Sequence, residues 1–358
     1  MNFKPLKIGN LTAKIPLIQG GMGVGISLSG LAGAVAKEGG IGLISTAQIG
    51  FRRKDFNQHP IEANLEAIPE ELEKARKIAP GGIIGFNIMV ATKRYEEYVK
   101  AAVKAGADLI VSGAGLPVDL PAYVRGFQTK LAPIVSSLKA AALVCKLWDR
   151  RYQTVPDLVV IEGPQAGGHL GFSHEDAEHL SPEEFEDEIR KIQDVVKTYE
   201  EKYEKGIPVV VAGGIYGRED VRHALEDLDA DGVQIGTRFV TTEECDAPMA
   251  FKQAYLDASE EDIIVTKSPV GMPGRALRNN FLKEVALERK KPGRCRQCLE
   301  KCKREEIPYC ITDALLNSAN GNTDQGLVFC GGKAYRTDKI EKVTDVVAEL
   351  FGLCGPQT

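Results

Sequence analysis

The stretch that decides the fold is Asp157-Leu-Val-Val-Ile161 followed by Glu162-Gly-Pro-Gln-Ala-Gly-Gly-His169. The first part is a short apolar run of the kind that forms a buried strand. The second part is a glycine-rich loop, and glycine lets the backbone approach a flat ligand closely because it has no side chain. The pattern therefore predicts a strand that carries His169 to a binding site at its C-terminal end.

Similar apolar runs recur along the chain and alternate with amphipathic stretches. The eight predicted strands are 15–19, 41–44, 82–89, 108–111, 132–135, 157–161, 208–212 and 232–235. The predicted helices between them include 27–37, 61–78, 94–105, 137–149, 181–204 and 218–227. Alternation of this kind is typical of a parallel sheet with crossover helices. Eight strands favour an α/β fold of the (β/α)₈ TIM-barrel type, and a doubly wound open sheet is the alternative.

Unusual residues follow these strands at their C-terminal ends, where barrels of this kind carry their chemistry. The ends read Gln19-Gly-Gly-Met-Gly23, Asn87-Ile-Met89, Ser112-Gly-Ala-Gly115, the loop to His169, Gly213-Gly-Ile215 and Gly236-Thr-Arg-Phe239. Five of these six ends are rich in glycine, which packing alone does not predict. We expect them to form one site.

Two of these loops, 211–215 and 234–237, follow the last two strands, a position where many barrels bind phosphate. Backbone N–H groups beside glycine, a threonine hydroxyl and a helix N-terminus suit a dianion without a lysine. The alternative is that the glycines only form tight turns. The loop 19–25 superficially resembles a dinucleotide-binding turn, but no acidic residue ends the second strand to hold a ribose.

Composition narrows the class of partner. The chain has 358 residues, of which 43% are hydrophobic, and a formal net charge of -5. This charge gives no reason to expect nucleic acid or an anionic membrane as partner. No apolar run is long enough to span a bilayer, and the first ten residues do not resemble a signal peptide. We expect a cytoplasmic protein that acts on a small molecule. The sequence leaves open whether the protein forms a homo-oligomer.

The region 247–358 departs from the barrel pattern, so the predicted domains are a barrel at 1–246 and an extension at 247–358. We expect the extension to form helices and loops that cover the barrel mouth. It contains Cys295, Cys298, Cys302 and Cys310, whose first three thiols would share one face of a helix. Four such thiolates could hold a [4Fe–4S] cluster or Zn²⁺. Reduced cysteines without a ligand are the alternative.

The remaining cysteines are scattered along the chain, and we predict that they are buried as small apolar residues. They are Cys145, Cys245, Cys330 and Cys354. Cys330 is a candidate exception, because the glycine-bounded turn 326–332 could reach the barrel mouth.

Taken together, the motifs resemble those of the FMN-dependent nitronate monooxygenases, also called 2-nitropropane dioxygenases, and of the related flavin-dependent enoyl-acyl-carrier-protein reductases. The resemblance covers nearly the whole chain. It rests on Ile18-Gln-Gly-Gly-Met22, Gly85-Phe-Asn-Ile-Met89, Gly163-Pro-Gln-Ala-Gly-Gly-His169, Ala212-Gly-Gly-Ile215, Gln234-Ile-Gly-Thr-Arg-Phe239 and Gly274-Arg-Ala-Leu-Arg-Asn279.

The resemblance implies FMN across the barrel mouth, with His169 as the catalytic residue. Gly21 and Met22 would contact the flavin ring, and Asn87 would hydrogen-bond it. Glu162 and Gly167 match further flavin contacts. The matching phosphate site consists of Gly214, Gln234, Ile235, Gly236 and Thr237. His169 would position or deprotonate the nitro compound, and the flavin would pass electrons to dioxygen.

Some residues favour the reductases instead. Glu162 stands where the monooxygenases tend to have glutamine, and Asn87-Ile-Met89 looks more like the reductases. The first hypothesis is therefore a nitronate monooxygenase that oxidises alkyl nitronates with dioxygen. The alternative is an NAD(P)H-dependent reductase of enoyl thioesters or quinones. A flavin-binding sensor or electron-transfer protein is a third hypothesis, in which His169 has no role.

Overall fold

The computed structural model describes residues 3–353. Cys354 lies outside these residues. The strands within them are β1 Leu6–Ile8, β2 Leu11–Ala13, β3 Leu17–Gln19, β4 Ile41–Ser45, β5 Ile83–Met89, β6 Leu109–Gly113, β7 Lys130–Val135, β8 Val159–Glu162, β9 Gly168–His169, β10 Val209–Ala212, β11 Gly232–Ile235, β12 Ile263–Lys267 and β13 Pro273–Leu277.

Eight of these strands close into a parallel barrel in the order β3-β4-β5-β6-β7-β8-β10-β11, and β11 pairs with β3 to complete the ring. They are the eight strands that the sequence pattern predicts, with bounds that move by one or two residues. The barrel interior is filled by apolar side chains such as Ile18, Leu43, Leu109 and Val160. The predicted TIM barrel is therefore confirmed.

Helices lie around the barrel strands and in the region after residue 246. They are α1 Ser29–Lys37, α2 Pro60–Ile78, α3 Tyr95–Ala105, α4 Leu120–Tyr123, α5 Leu138–Tyr152, α6 His174–His179, α7 Pro182–Tyr203, α8 Arg218–Arg222, α9 Met249–Leu256, α10 Asn280–Leu287, α11 Ile311–Ala319 and α12 Val343–Phe351. The longest, α7, begins with a capping box in which Ser181 and Glu184 satisfy backbone N–H groups that the first turn leaves unpaired. Among residues 3–353, no helix has both the length and the apolar character needed to cross a membrane.

The N-terminal end of the barrel is closed by the antiparallel pair β1 and β2. Leu6 and Ile8 of this pair are buried with the interior side chains of the barrel strands. Because one end is covered and the interior is filled, the C-terminal ends of the strands are where the barrel can bind a ligand.

The region after residue 246 differs from the prediction of helices and loops alone. It contains the antiparallel hairpin β12–β13, and β13 also pairs with β9, so that Gly274 lies opposite His169 and Arg275 opposite Gly168. The residues Pro273-Gly-Arg of β13 are weak strand formers, so the pairing is set by tertiary contacts rather than by local propensity. The hairpin brings a distant part of the chain against His169.

Candidate functional site

The C-terminal ends of the barrel strands open into a cavity of about 360 Å³. Its walls contain every residue that the sequence predicts for catalysis or FMN binding, namely His169, Gly21, Met22, Asn87, Glu162, Gly167, Gly214, Gln234, Ile235, Gly236 and Thr237. The sequence thus places the residues of one cavity at the ends of five different strands. Their individual roles stay predictions.

One side of the cavity is formed by a very close contact between the first and third barrel strands. A Cβ atom added to Gly21 would lie 2.2 Å from the Cβ atom of Asn87, which is far inside van der Waals contact. Only glycine therefore leaves the Asn87 side chain in place at this wall. The arrangement gives a flat ring an open backbone surface beside an amide that can hydrogen-bond it.

The adjoining side is built from the loops after β10 and β11, since β11 pairs with β3. Gly213 and Gly214 have φ values of 90° and 79°, which L side chains rarely adopt. The Thr237 hydroxyl accepts a hydrogen bond from the Gly331 N–H at 2.9 Å, and this bond attaches the C-terminal turn to the barrel. Lys333, next along this turn, also lines the cavity and pairs with Asp220 at 2.7 Å.

These residues fit FMN. The Oε1 atom of Gln234 is buried without a hydrogen-bond partner, although the residue lines the cavity. A buried unpaired amide oxygen is costly, and a ligand with a donor group such as the flavin ring would satisfy it. The glycine-rich loops and Lys333 supply N–H donors and a positive charge that suit the phosphate.

His169 is held from two sides. Its backbone pairs with β13, and its Nε2 atom lies 2.7 Å from the Ser268 Oγ atom, in the turn that joins β12 to β13. Its ring meets the edge of Phe329, with a distance of 4.9 Å between ring centroids and an angle of 69°. Burial lowers the pKa of His169 to about 4, so its imidazole is neutral near pH 7.

Glu162 ends β8 and faces the same cavity. Burial raises the pKa of its carboxyl group to about 7, because a desolvated carboxylate is unfavourable. Among residues 3–353, the cavity is lined by one carboxyl side chain, Glu162, and one amino side chain, Lys333. Glu162 therefore gains or loses a proton close to neutral pH.

Sequence reasoning did not find Ser268, Phe329 and Lys333. All three lie in the region after residue 246: Phe329 and Lys333 line the cavity, and Ser268 contacts His169. The turn 326–332 did carry a usable pattern, since its glycines suggested a turn that could reach the barrel mouth. Cys330 of this turn is buried and lines the cavity. Cys145 and Cys245 are buried, as predicted.

The four clustered cysteines are not arranged as predicted. Residues 295–302 form no helix, and Gln297 adopts a left-handed φ of 52° within the C-x₂-C turn. Pro292 and Gly293 precede this turn, and both residue types oppose helix formation. In the described part of the chain, no three metal-binding side chains are gathered around one point. Cys298 alone of the four lines the cavity.

A glycine-lined cavity at the C-terminal mouth of a TIM barrel, with a buried histidine in its wall, fits an FMN-dependent oxidoreductase of the barrel type. The family model for nitronate monooxygenase matches residues 4–352. The chain therefore belongs to the nitronate monooxygenase family. Membership implies FMN-dependent oxidation of nitronates.

Individual relatives agree with this assignment. A probable nitronate monooxygenase from Staphylococcus saprophyticus is 27% identical over 299 residues, covering 77% of this chain and 79% of that protein. Among solved structures, FabK from Thermotoga maritima has a TM-score of 0.72 at 24% identity, covering 95% and 93% of the two chains. Nitroalkane oxidase from Streptomyces ansochromogenes has a TM-score of 0.70 at 20% identity, covering 95% and 96%. These two structures share the fold with this chain.

Proposed function

We propose that this protein is a nitronate monooxygenase that oxidises alkyl nitronates and passes the electrons to dioxygen. The observation that carries the proposal is the position of His169. It lies in the wall of the cavity that fits FMN, and Ser268 and the pairing with β13 hold its ring there. A histidine fixed in this way can act on a substrate bound against the flavin.

FMN supplies the oxidising centre when bound, since it accepts electrons from the substrate and returns them to dioxygen. We assign its ring to the wall formed by Gly21, Met22 and Asn87. We assign its phosphate to Gly214, the run Gln234 to Thr237, and Lys333. Glu162 and Gly167 line the same cavity, and we assign them further contacts with the flavin.

The protonation state of His169 favours a nitronate over its neutral nitroalkane. An imidazole with a pKa of about 4 is a weak base, so it is poorly suited to removing a proton from carbon near pH 7. A nitronate has already lost that proton. We infer that neutral His169 positions the anionic substrate, with its free ring nitrogen available for a hydrogen bond.

The cavity walls support a substrate with an apolar body. Leu299, Leu315 and Phe329 line the part of the cavity that the C-terminal region contributes. Such walls exclude water from the reacting groups and strengthen the polar interactions that remain. An alkyl chain fits this environment.

The second candidate is an NAD(P)H-dependent reductase of enoyl thioesters or quinones. The observation that favours it is Glu162, whose pKa of about 7 would let it donate a proton in the cavity. The two candidates differ in how the flavin is reduced. A nitronate reduces the flavin directly in the first, and a nicotinamide does so in the second. Flavin bleaching under anaerobic conditions separates them.

A flavin-binding sensor is tested by His169→Ala. The enzyme hypotheses predict that this variant loses roughly 10²-fold or more in turnover, a loss that misplacement of the substrate relative to the flavin can cause. The sensor hypothesis predicts unchanged redox behaviour. His174→Ala is the matched control, because His174 lies in α6 outside the cavity.

Further proposals concern the protein around this site. We propose that Cys295, Cys298, Cys302 and Cys310 hold a metal centre, either Zn²⁺ or a [4Fe–4S] cluster. We also propose a cytoplasmic location and an extension at 247–358 that covers the barrel as a separate unit. A homo-oligomer stays a prediction, which light scattering of the FMN-loaded protein would test.

A further inference from the structure

The turn after β4 contains a glutamine in an unfavourable backbone conformation. Gln48 has a φ of 48°, in the left-handed region that residues with a side chain rarely adopt. It is 7% exposed and lines the cavity. Strain of this kind persists only where surrounding contacts hold it, and it concentrates at binding sites. The contacts of the Gln48 side chain therefore show what the turn is built to present.

The first of these contacts comes from Asn64 of α2, which is 1% exposed and lies behind the cavity wall. The Oδ1 atom of Asn64 accepts a hydrogen bond from the Gly50 N–H at 2.8 Å. A backbone N–H can only donate, so this bond forces the Nδ2 group of Asn64 to face the other way. The backbone thus decides the orientation of the Asn64 amide.

The Nδ2 group of Asn64 then donates to two cavity residues. It donates to the Oε1 atom of Gln48 at 3.2 Å and to the hydroxyl oxygen of Tyr98 at 2.9 Å. Because Oε1 is the acceptor, the NH₂ group of Gln48 points away from Asn64. The Tyr98 hydroxyl accepts a bond and keeps its own proton for donation, since burial raises its pKa to about 12.

Two donors are left without a protein acceptor by this arrangement. Within residues 3–353, neither the Nε2 group of Gln48 nor the Tyr98 hydroxyl donates a hydrogen bond. Tyr98 is 3% exposed and lines the same cavity as Gln48. We call the Gln48 NH₂ group and the Tyr98 hydroxyl the donor pair. A buried donor without an acceptor is costly, so a ligand that brings acceptor atoms is expected to bind there.

The donor pair lies beside the wall assigned to the flavin ring. Strand β4 runs between β3, which leads to Gly21, and β5, which carries Asn87. The Thr46 N–H donates to the Asn87 carbonyl at 3.1 Å and attaches the turn after β4 to that wall. His169 comes from the loop after β8, which is four strands from β4 around the barrel. A small substrate over the flavin would therefore lie between the donor pair and His169.

We propose that Gln48 and Tyr98 bind the oxygens of the nitronate group and so select the anionic substrate over the neutral nitroalkane. The inference rests on the proposed function. A nitronate shares its negative charge between two oxygens in one plane, and hydrogen bonds to a charged oxygen are stronger than those to a neutral nitro group. Asn64 is a positioning residue in this scheme, because it acts only through Gln48 and Tyr98.

The first test compares propyl-1-nitronate with 1-nitropropane, which share one carbon skeleton. Gln48→Glu keeps an oxygen that can accept from Asn64 and replaces the donor by a second carboxylate oxygen. We expect KM for the nitronate to rise roughly tenfold or more, with a smaller change in kcat and a lost preference for the nitronate. Tyr98→Phe removes the other donor and should raise KM roughly tenfold.

Matched controls exist for both variants. Gln153→Glu changes a glutamine that also has a left-handed φ, 49°, but lies at the end of α5 outside the cavity. Tyr95→Phe changes a tyrosine of the same helix as Tyr98, whose hydroxyl bonds Ser112 at 2.7 Å outside the cavity. Both controls should leave KM for the nitronate unchanged.

A third variant tests the orientation of the donor pair from outside the cavity. In Asn64→Asp, the new carboxylate still accepts from the Gly50 N–H, but it can only accept from Gln48 and Tyr98. Both donors should then turn towards it and away from the cavity. KM for the nitronate should rise as in Gln48→Glu, while FMN content stays unchanged. If this variant fails to fold, Tyr98→Phe still decides the proposal.

Equilibrium binding separates this inference from the proposed function. Propanoate also shares one negative charge between two oxygens, and its binding needs no turnover. Titration of the oxidised, FMN-loaded protein, followed by flavin absorbance, should give a Kd that rises roughly tenfold in Gln48→Glu and in Tyr98→Phe. Binding that depends on both residues, together with a flavin that nitronate fails to bleach, would support the donor pair and contradict nitronate oxidation.

Three results would overturn the inference. The first is a native protein that does not bind propanoate, or a Kd that neither cavity variant changes. The second is a loss of FMN affinity in Gln48→Glu and Tyr98→Phe as large as the loss for the nitronate, which would assign the donor pair to the flavin. The third is a folded Asn64→Asp variant with the KM of the native protein.

Discussion

The Nε2 atom of His169 lies 2.7 Å from the Oγ atom of Ser268, a residue 99 positions further along the chain. His169 comes from the loop after β8, and Ser268 comes from the turn between β12 and β13. The extension thus fixes the ring orientation of a residue that the barrel supplies. His169 depends on both parts of the chain for its geometry.

Replacing Ser268 with alanine should therefore impair catalysis without removing the cofactor. A hydrogen bond of this kind contributes about 1–1.5 kcal/mol, so kcat/KM for an alkyl nitronate should fall about tenfold. FMN content should stay unchanged, and Ser268→Thr should restore part of the activity. The matched control is Ser181→Ala, which removes a helix cap on α7 and should leave kcat/KM unchanged. Equal effects of the two alanine variants would contradict the positioning role.

Glu162 should make nitronate oxidation depend on pH near neutrality. Its pKa of about 7 means that the carboxyl group is neutral below that pH and ionised above it. An ionised Glu162 repels an anionic nitronate, so kcat/KM should fall about tenfold between about pH 6 and about pH 8. Glu162→Gln should show a flat profile over this range, and a fall that persists in the variant would rule out Glu162 as its source.

The same shift affects stability, with a definite sign. The folded pKa of Glu162 lies above the ordinary carboxyl value of 4.5. The stabilisation of the folded protein that comes from this raised pKa is therefore fully present below about pH 4.5, and it is lost as pH rises towards about 7. Thermal unfolding of Glu162→Gln should lack this part of the pH dependence.

Gly21 should be essential for FMN binding. An added Cβ would lie 2.2 Å from the Cβ atom of Asn87 and would displace that side chain from the ring site. Gly21→Ala should raise the Kd of FMN roughly tenfold or more. Gly206→Ala is the matched control, because no atom lies within 4 Å of its added Cβ. Fluorescence titration of the apoprotein with FMN measures both, and equal affinity would contradict the assignment.

Lys333 should contribute to FMN affinity through the phosphate. It is the basic side chain that lines the cavity among the described residues, and it lies beside the loops with Gly214 and Thr237. Loss of one charge-assisted hydrogen bond in Lys333→Met should weaken FMN binding roughly tenfold, and weaken riboflavin binding much less. Lys77→Met, which removes an exposed cation paired with Glu73, is the control. An equal loss for FMN and riboflavin would place Lys333 away from the phosphate.

The barrel and most of the cavity were predictable from sequence because their determinants are local. Each strand is a short apolar run, and each site loop directly follows one, so a parallel barrel brings the loops together without further information. This is why Gly21, Asn87, Glu162 and Gln234 could be placed in one cavity from positions far apart in the chain.

Ser268 and Lys333 could not be predicted in this way. Lys333 lines the cavity and Ser268 contacts His169, both through tertiary contacts. The strand β9 has two residues and exists only because β13 lies beside it. The cysteine spacing suggested a helix, but Gln297 turns the backbone into the left-handed region there. Patterns of residues give periodicity and turns, and they carry little information about which distant segments meet.

The most direct test of nitronate oxidation is anaerobic mixing of the FMN-loaded protein with an alkyl nitronate, and separately with NADH or NADPH, while flavin absorbance is followed. We predict that the nitronate alone bleaches the flavin, and that His169→Ala slows this bleaching by roughly 10²-fold because the substrate is no longer positioned. Bleaching by a nicotinamide but not by the nitronate would contradict the account and assign the protein to the reductases.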